Sequence, residues 1–491
     1  MNGDIKQKAI SGLFWKYAER ILAQLVSTVV AIILARLLEP EHYGIIGIVN
    51  IFITLCNVFV VTGLGESLIQ KKDADELDFS SMFYVNLSLS IVLYLLLFFS
   101  APVISLFYEN KYPEIVPLIR VMGLRLIVAS INSIQSAKVS RDMSFKKYFW
   151  VTLIGTAVSA IVGISMAYNG FGVWALAAQY MTNTTVDTIM LFVFIDWHPK
   201  LMFSFKRVKP LFKYGWKVLA TALAGAVYNE MRGLIIGKKY SSEDLAFYNK
   251  GGTYPKLIVN NLNSAISSVI FPLFAFSQDD KPRVKSMMRK AMKTSSYLVF
   301  PAMVGLAVVA SSFVEVLLTP KWLPCVPYLQ MMCVIYAFNP VFGFNLQCLT
   351  ALGHSAEYLK IMIFEYLIGL IILVLTFRYG VIWIALGQVF STVINCCIDA
   401  VVGGRKVDYS LMEQIKDILP NFLTALCMGA VVVIIKRLAP VGHTAIILVL
   451  QVAVGGIVYL ALSVVMRNES FLYLFGFARS IVRKEKEESH E

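Results

Sequence analysis

Residues 31–44, AIILARLLEPEHYG, decide how the rest of the chain is read. An apolar run ends on the cation Arg36. Acid, proline, acid, an aromatic and glycine follow, and a second apolar run begins. Proline and glycine interrupt helices, and charged side chains are kept out of hydrocarbon. The stretch therefore reads as the tip of a helical hairpin just outside a membrane. The tip recurs at residues 234–248, LIIGKKYSSEDLAFY, which align without a gap: Gly237 on Ala35, Lys238 on Arg36, Glu243 on Glu41, Leu245 on Tyr43. The match is one of pattern, and it makes the chain two copies of one helical unit.

Composition agrees. Of 491 residues, 58% are hydrophobic and 15% charged, with a mean hydropathy of +0.69. Soluble domains carry about 25% charged residues, so this is an all-α, polytopic membrane protein. The net charge of +13 does not point to nucleic acid. Its cations are divided among short segments between apolar runs, as orientation signals are, and no nucleic-acid motif accompanies them. Seven cysteines lie mostly inside apolar runs without metal spacing, and read as small core residues. Five histidines form no metal or triad pattern. No GxGxxG, GxxxxGK[ST] or HExxH occurs, so no cofactor or metal is expected. The sequons at Asn86 and Asn183 fall inside expected spans. The first apolar run lacks a small-residue cleavage site and reads as a retained span.

A span needs about 20 apolar residues. That rule predicts about fourteen helices, from 12–36 and 43–67 through to 416–437 and 444–466, with a short interfacial helix over 1–11. With the N-terminus inside, inner segments hold 28 Lys and Arg, outer segments hold 8, and 8 lie within spans. This bias predicts both termini in the cytoplasm. The repeat is visible a second time. At a constant offset of 209, FGVWALAAQ (171–179) resembles GVIWIALGQ (380–388), with Trp174 on Trp383 and Gln179 on Gln388. The expected division is an N-terminal lobe over 1–200, a C-terminal lobe over 201–409, two added helices over 410–466 and a cytoplasmic tail over 467–491. Two six-helix lobes share one orientation, related by an axis along the membrane normal, and leave a cleft between them. That is transporter architecture.

The corner LARLLEPEHYG, the stretch GLGESLIQKKDAD at 63–75 and the second corner IIGKKYSSEDLAFYNKG resemble the Wzx polysaccharide flippases, above all the branch exporting colanic-acid-type repeat units. These belong to the multidrug/oligosaccharidyl-lipid/polysaccharide superfamily. The resemblance covers nearly the whole chain, through loose and mostly structural motifs. It implies a protein of the bacterial cytoplasmic (inner) membrane. It implies a cargo of undecaprenyl-diphosphate-linked oligosaccharide, turned from the cytoplasmic to the periplasmic leaflet, with membrane lipids, a polysaccharide polymerase and export machinery as partners. It carries over no catalytic residue.

Charge inside the membrane marks the residues that do the work. Eight cations fall within expected spans: Lys16, Arg20, Arg120, Arg125, Lys217, Arg232, Lys250 and Lys256. Each costs about 2.5–3.5 kcal/mol at a helix centre. Such groups snorkel, pair or face a wet cavity. Lys16 and Lys217 lie near cytoplasmic ends, where snorkelling explains them. Arg20, Arg125, Arg232 and Lys250 are the cavity candidates, drawn from both lobes, and a diphosphate needs such cationic partners. The bland alternative is structural ion pairing across helices. Among the acids Glu19, Glu66, Asp187, Glu230, Glu315, Glu365 and Asp399, Glu365 and Asp187 lie deepest, as candidate H+ or Na+ coupling sites. A drug or organic-cation antiporter of the same fold is the alternative reading, and it would favour acids in the cleft. A polysaccharide polymerase or ligase needs a substantial outer loop, and the longest outer segment spans only about residues 107–114.

Overall fold

The computed structural model describes residues 22–62, 68, 71, 73–142, 144–277, 280–438, 444–474 and 476. Arg20, with Lys16, Glu19 and Glu66, lies outside them. All regular elements among the described residues are helical. In chain order they are α1 (Leu22–Leu37), α2 (Pro40–Val61), α3 (Glu76–Phe107), α4 (Ile115–Asp142), α5 (Phe145–Tyr168), α6 (Val173–Phe194) and α7 (Phe205–Lys239). Then follow α8 (Ser242–Phe276), α9 (Lys281–Leu318), a 3₁₀ turn (Pro320–Cys325), α10 (Val326–Ala351), α11 (Ser355–Thr376), α12 (Val381–Lys406), α13 (Leu411–Leu438) and α14 (Thr444–Val465).

Ten of these, α2–α5 and α9–α14, are long and apolar enough to cross a membrane. The chain is a multi-pass membrane protein. Helices α6, α7 and α8 are equally long but not among the ten. Polarity is the reason: α6 carries Gln179, Asn183 and Asp187 among hydroxyls, and α7 and α8 carry charges along 35 residues each.

The first corner is two residues long. Pro40 occupies the opening turn of α2, where its missing N–H costs nothing. The Glu39 N–H donates to His42 Nδ1 at 3.3 Å, closing a capping box. The second corner is built alike. The Ser241 N–H donates to Asp244 Oδ2 at 3.2 Å, and the Asp244 N–H donates back to Ser241 Oγ at 3.0 Å. Glu39 aligns with Ser241 and His42 with Asp244, so aligned residues cap both corners. At the aligned tryptophans the Trp174 N–H donates to the Phe171 carbonyl, and the Trp383 N–H to the Gly380 carbonyl, both at 3.1 Å.

Contacts divide the chain into two units, Met1–Ala246 and Phe247–Glu491. In the first, α3 pairs with α4, α4 with α6, and α5 with α6. In the second, α9 pairs with α10, α10 with α12, and α11 with α12, while α13 and α14 pack on α9. The contact boundary at 246/247 lies beyond the expected division at 200/201 because α7 lies on α2 and α3. Small residues allow this: β-carbons on Gly233 and Gly237 would stand 2.9 Å from Ile51 Cδ1 and 3.0 Å from Ile48 Cγ1.

Ion pairs join helix ends that an alternating path brings together. At one end of the first unit Lys200 meets Glu76, Arg207 meets Asp75 at 3.3 Å, and Lys147 meets Asp196 at 3.0 Å; at the other, Lys238 meets Glu109 at 2.7 Å. In the second unit Lys285 meets Glu413 at 3.1 Å and Lys406 meets Glu357 at 2.7 Å.

Candidate functional site

In the first unit Arg125 sits on the polar seam between α4 and α6. Arg125 Nε donates to Thr184 Oγ1 at 3.0 Å, and its guanidinium carbon stands 5.3 Å from the Tyr180 ring centroid. Tyr180 and Thr184 are one helical turn apart, so one face of α6 supplies both partners. Two turns along α4, Asn132 Nδ2 donates to Thr188 Oγ1 at 3.4 Å. Asp187 faces a different neighbour: its Oδ1 stands 1.7 Å from where a β-carbon on Gly155 of α5 would be. The seam thus presents one arginine on an aromatic and hydroxyl ladder, with the carboxylate turned toward α5.

Arg232, on α7, is only 5% exposed. Its Nη2 donates to the Tyr228 hydroxyl at 3.1 Å, and the guanidinium lies 4.9 Å from that ring. Lys250 belongs to the second unit and is 7% exposed. Its Nζ stands 5.1 Å from the ring of Trp322, which is fully buried. All three described cations therefore rest on an aromatic face, which attracts a cation without neutralising it. Arg120 does the same over Phe98 at 4.5 Å, whereas Lys256 is exposed.

The acids pair up. Glu365 of α11 and Asp399 of α12 hydrogen-bond to each other through their carboxyl groups. Two carboxyls this close need a proton between them or a cation beside them. Three further oxygens there are buried without a hydrogen-bond partner: Glu365 Oε1, Asp399 Oδ1 and, one turn before Asp399, Asn395 Oδ1. Among the described residues no group of three or more His, Cys, Asp or Glu is arranged to hold a metal. The arrangement can exchange a proton, or hold a monovalent cation on carboxyl and amide oxygens.

Charge pattern found the five described candidates but not their partners. Tyr180, Tyr228 and Trp322 read in sequence as core aromatics, although Tyr228 precedes Arg232 by one turn. Asp399 was one acid in a series. The usable signal was the turn at Gly380, since residues at comparable distances from a tight turn meet across the hairpin. Gly387 already packs on Ile372 and Thr376 in that register, and Glu365 and Asp399 follow it.

Comparison with known proteins adds a frame. The family described as "Polysaccharide biosynthesis protein" matches residues 33–327. The chain is 25% identical to the lipopolysaccharide biosynthesis protein WzxC of Escherichia coli (strain K12), over 67% of this chain and 67% of that one. It is 24% identical to the succinoglycan biosynthesis transport protein ExoT of Rhizobium meliloti (strain 1021), over 62% of this chain and 61% of that one. Among solved structures, the lipid II flippase MurJ in an inward closed conformation superposes with a TM-score of 0.77, at 15% identity, over 92% of this chain and 98% of that one. That last likeness is one of fold.

Proposed function

The chain belongs to the polysaccharide biosynthesis protein family, and from that premise we propose that it is a flippase for lipid-linked oligosaccharide repeat units. Its cargo is a glycan on undecaprenyl diphosphate, carried from the cytoplasmic to the periplasmic leaflet of a bacterial inner membrane. The names of its relatives, a lipopolysaccharide biosynthesis protein and a succinoglycan transport protein, support this reading. The observation that carries it is the coincidence of polarity and charge. The three long helices that fall short of the apolarity of a lipid-facing span, α6, α7 and α8, hold Asp187, Arg232 and Lys250, and α6 also supplies the partners of Arg125. A diphosphate and its sugars need such walls, with arginines for the phosphates and aromatic rings beside them.

In this reading fourteen spans form two six-helix lobes and two added helices, with both termini cytoplasmic, and the lobes alternate access to a cleft. The cargo moves without chemical change, so the protein is not an enzyme. Polymerase and export machinery act on the product. The driving force is electrical and ionic. A diphosphate carries about two negative charges, and outward movement through 100 mV favours it by roughly 4–5 kcal/mol. The Glu365–Asp399 pair then returns the protein by exchanging a proton or sodium ion.

The test is flipping of a lipid-linked oligosaccharide in proteoliposomes under an imposed potential and ion gradient. Gradient-driven turnover, lost in Glu365→Gln and Asp399→Asn, is the expected result. Turnover indifferent to the potential and to both ion gradients would remove the coupling role. Uptake of organic cations in place of the glycan lipid would transfer the assignment to a drug antiporter, the reading that the acid pair would then favour.

A further inference from the structure

The starts of α9 and α13 and the chain just past α14 enclose a cavity of about 450 Å³, within the range of small-molecule sites. Its floor is polar and buried, formed by Asp417, Asn421 and Asn468. Asn421 Nδ2 donates to the Lys293 carbonyl at 3.0 Å and to Ser296 Oγ at 2.8 Å, and Asn468 Nδ2 donates to Asn421 Oδ1 at 2.7 Å. These bonds tie the three helix ends together.

The walls are cationic. Asp417 receives Arg289 Nε at 2.6 Å and Nη2 at 2.7 Å, Lys293 Nζ at 3.2 Å, and the Tyr409 hydroxyl at 2.7 Å. One buried carboxylate thus fixes two cations in place and leaves the outer N–H donors of the guanidinium free to point elsewhere. Lys293 also meets Glu469 at 2.6 Å. The two remaining cations, Lys416 and Arg467, have no carboxylate or side-chain hydrogen-bond partner among the described residues. Arg467 is held at φ 48°, a conformation rare outside glycine. Four cations face two carboxylates, so the cavity carries a surplus of two positive charges. Preorganised cations over a polar floor suit a phosphate.

The neighbourhood says what bears that phosphate. Ile415, Leu419 and Leu423 on α13, and Val464 and Val465 on α14, expose apolar side chains on the same helix ends. We propose that this cavity binds the phosphate headgroup of an anionic lipid, whose chains lie along the exposed faces of α13 and α14. The site rests on the membrane-spanning reading of these two helices and not on the identity of the cargo.

The experiment uses the full-length protein in detergent. Its thermal unfolding is followed while phosphatidylglycerol, phosphatidylcholine, undecaprenyl diphosphate or inorganic phosphate is added. The phosphate-bearing anionic lipids should raise the melting temperature saturably, and phosphatidylcholine and inorganic phosphate should not. The double variant Lys416→Gln/Arg467→Gln removes cations that hold no structural partner, so it should elute and melt as the parent does without lipid. Its affinity should fall roughly thirtyfold, from about fivefold for each cation near a lipid surface. Lys290→Gln, an exposed cation on α9 outside the cavity, should change nothing. The rank order of the two anionic lipids tells whether carrier lipid or bulk lipid fills the site. Stabilisation that survives the double variant, that phosphatidylcholine matches, or that inorganic phosphate reproduces overturns the proposal.

Discussion

The carbonyl oxygen of Ser242 lies 1.8 Å from the point a β-carbon on Gly44 would occupy. Gly44 closes the first corner and Ser242 opens the helix after the second, so the two corners meet where their chains turn. The contact is backbone against backbone, and no rotamer change relieves it. Gly44→Ala should cost about 2–4 kcal/mol or shift α2 bodily, read as a melting temperature several degrees lower in detergent. Gly456→Ala is the control. Nothing lies within 4 Å of its added methyl, so a gain of about 0.5–1 kcal/mol is expected in a helix interior. Equal behaviour of the two variants would show that the corner tolerates the methyl.

Arg125 holds its charge on Tyr180 and Thr184, and its role is separable from folding. Arg125→Gln keeps a donor for Thr184 and loses the cation. We expect normal abundance in the membrane and repeat-unit export reduced at least tenfold, with partial recovery in Arg125→Lys. Arg20→Gln and Arg232→Gln should behave alike if the charges serve the cargo. Normal export, or loss of the protein itself, would assign these residues to structure.

The orientation is open to direct labelling. Cys397 and Cys427 are exposed and must first be replaced. On that background, single cysteines at Lys111 and Tyr240 should react with an impermeant reagent from outside the cell. Cysteines at Asp75, Asp142, Arg283 and Asp408 should react only after the membrane is opened. The reverse pattern would invert the topology.

Stability should depend on pH through the helix ends. The Asp78 N–H, with Arg207 nearby, holds the Asp75 carboxyl below the usual carboxylate range. A hydrogen bond from Lys147 does this for Asp196, and one from Lys238 for Glu109. The folded state therefore binds fewer protons than the unfolded chain in acid. The stabilisation is complete above the ordinary carboxylate values near 4, and it is lost as pH falls through the lowered ones. The melting temperature should be flat from about pH 8 to 5 and fall below about pH 4, with a smaller fall in Lys147→Met. An unchanged acid limb in that variant would mean that the Asp196 pair contributes nothing.

Much of the architecture was legible in the sequence because membrane solvation writes it there. The ends of α14 were readable to within a residue, since backbone in hydrocarbon must be helical, whereas α2 begins at Pro40 rather than 43 and α13 at Leu411 rather than 416. The corner alignment reached as far as Glu39 and Ser241, whose capping roles are visible only in the fold. What escaped were pairings between helices far apart in sequence. Arg125 could be nominated from its cost in lipid, but nothing in the sequence of α4 names Tyr180 as its rest. Asp399 was visible as an acid, yet its bond to Glu365 depends on the rotation of α11 and α12 about their axes, which periodicity does not fix when both helices are apolar on most faces. The placement of α7 against α2 likewise depends on Gly233 and Gly237, whose small size reads in sequence as ordinary glycine.

The polarity of α7 and α8 also bears on how the protein is made. A helix carrying Arg232 or Lys250 gains little by leaving the translocation channel alone, since the charge has no lipid-compatible surroundings. Helix α7 packs on a partner translated before it: Gly233 and Gly237 lie against Ile51 and Ile48 of α2. Helix α8 has that advantage only at its start, where Ser242 meets Gly44. Gly251 seats it against Tyr328 and Leu329 of α10, and Lys250 rests on Trp322, residues that the ribosome has yet to translate when α8 emerges. So α7 packs on a helix translated before it, whereas the part of α8 around Lys250 meets its partners only when α10 follows.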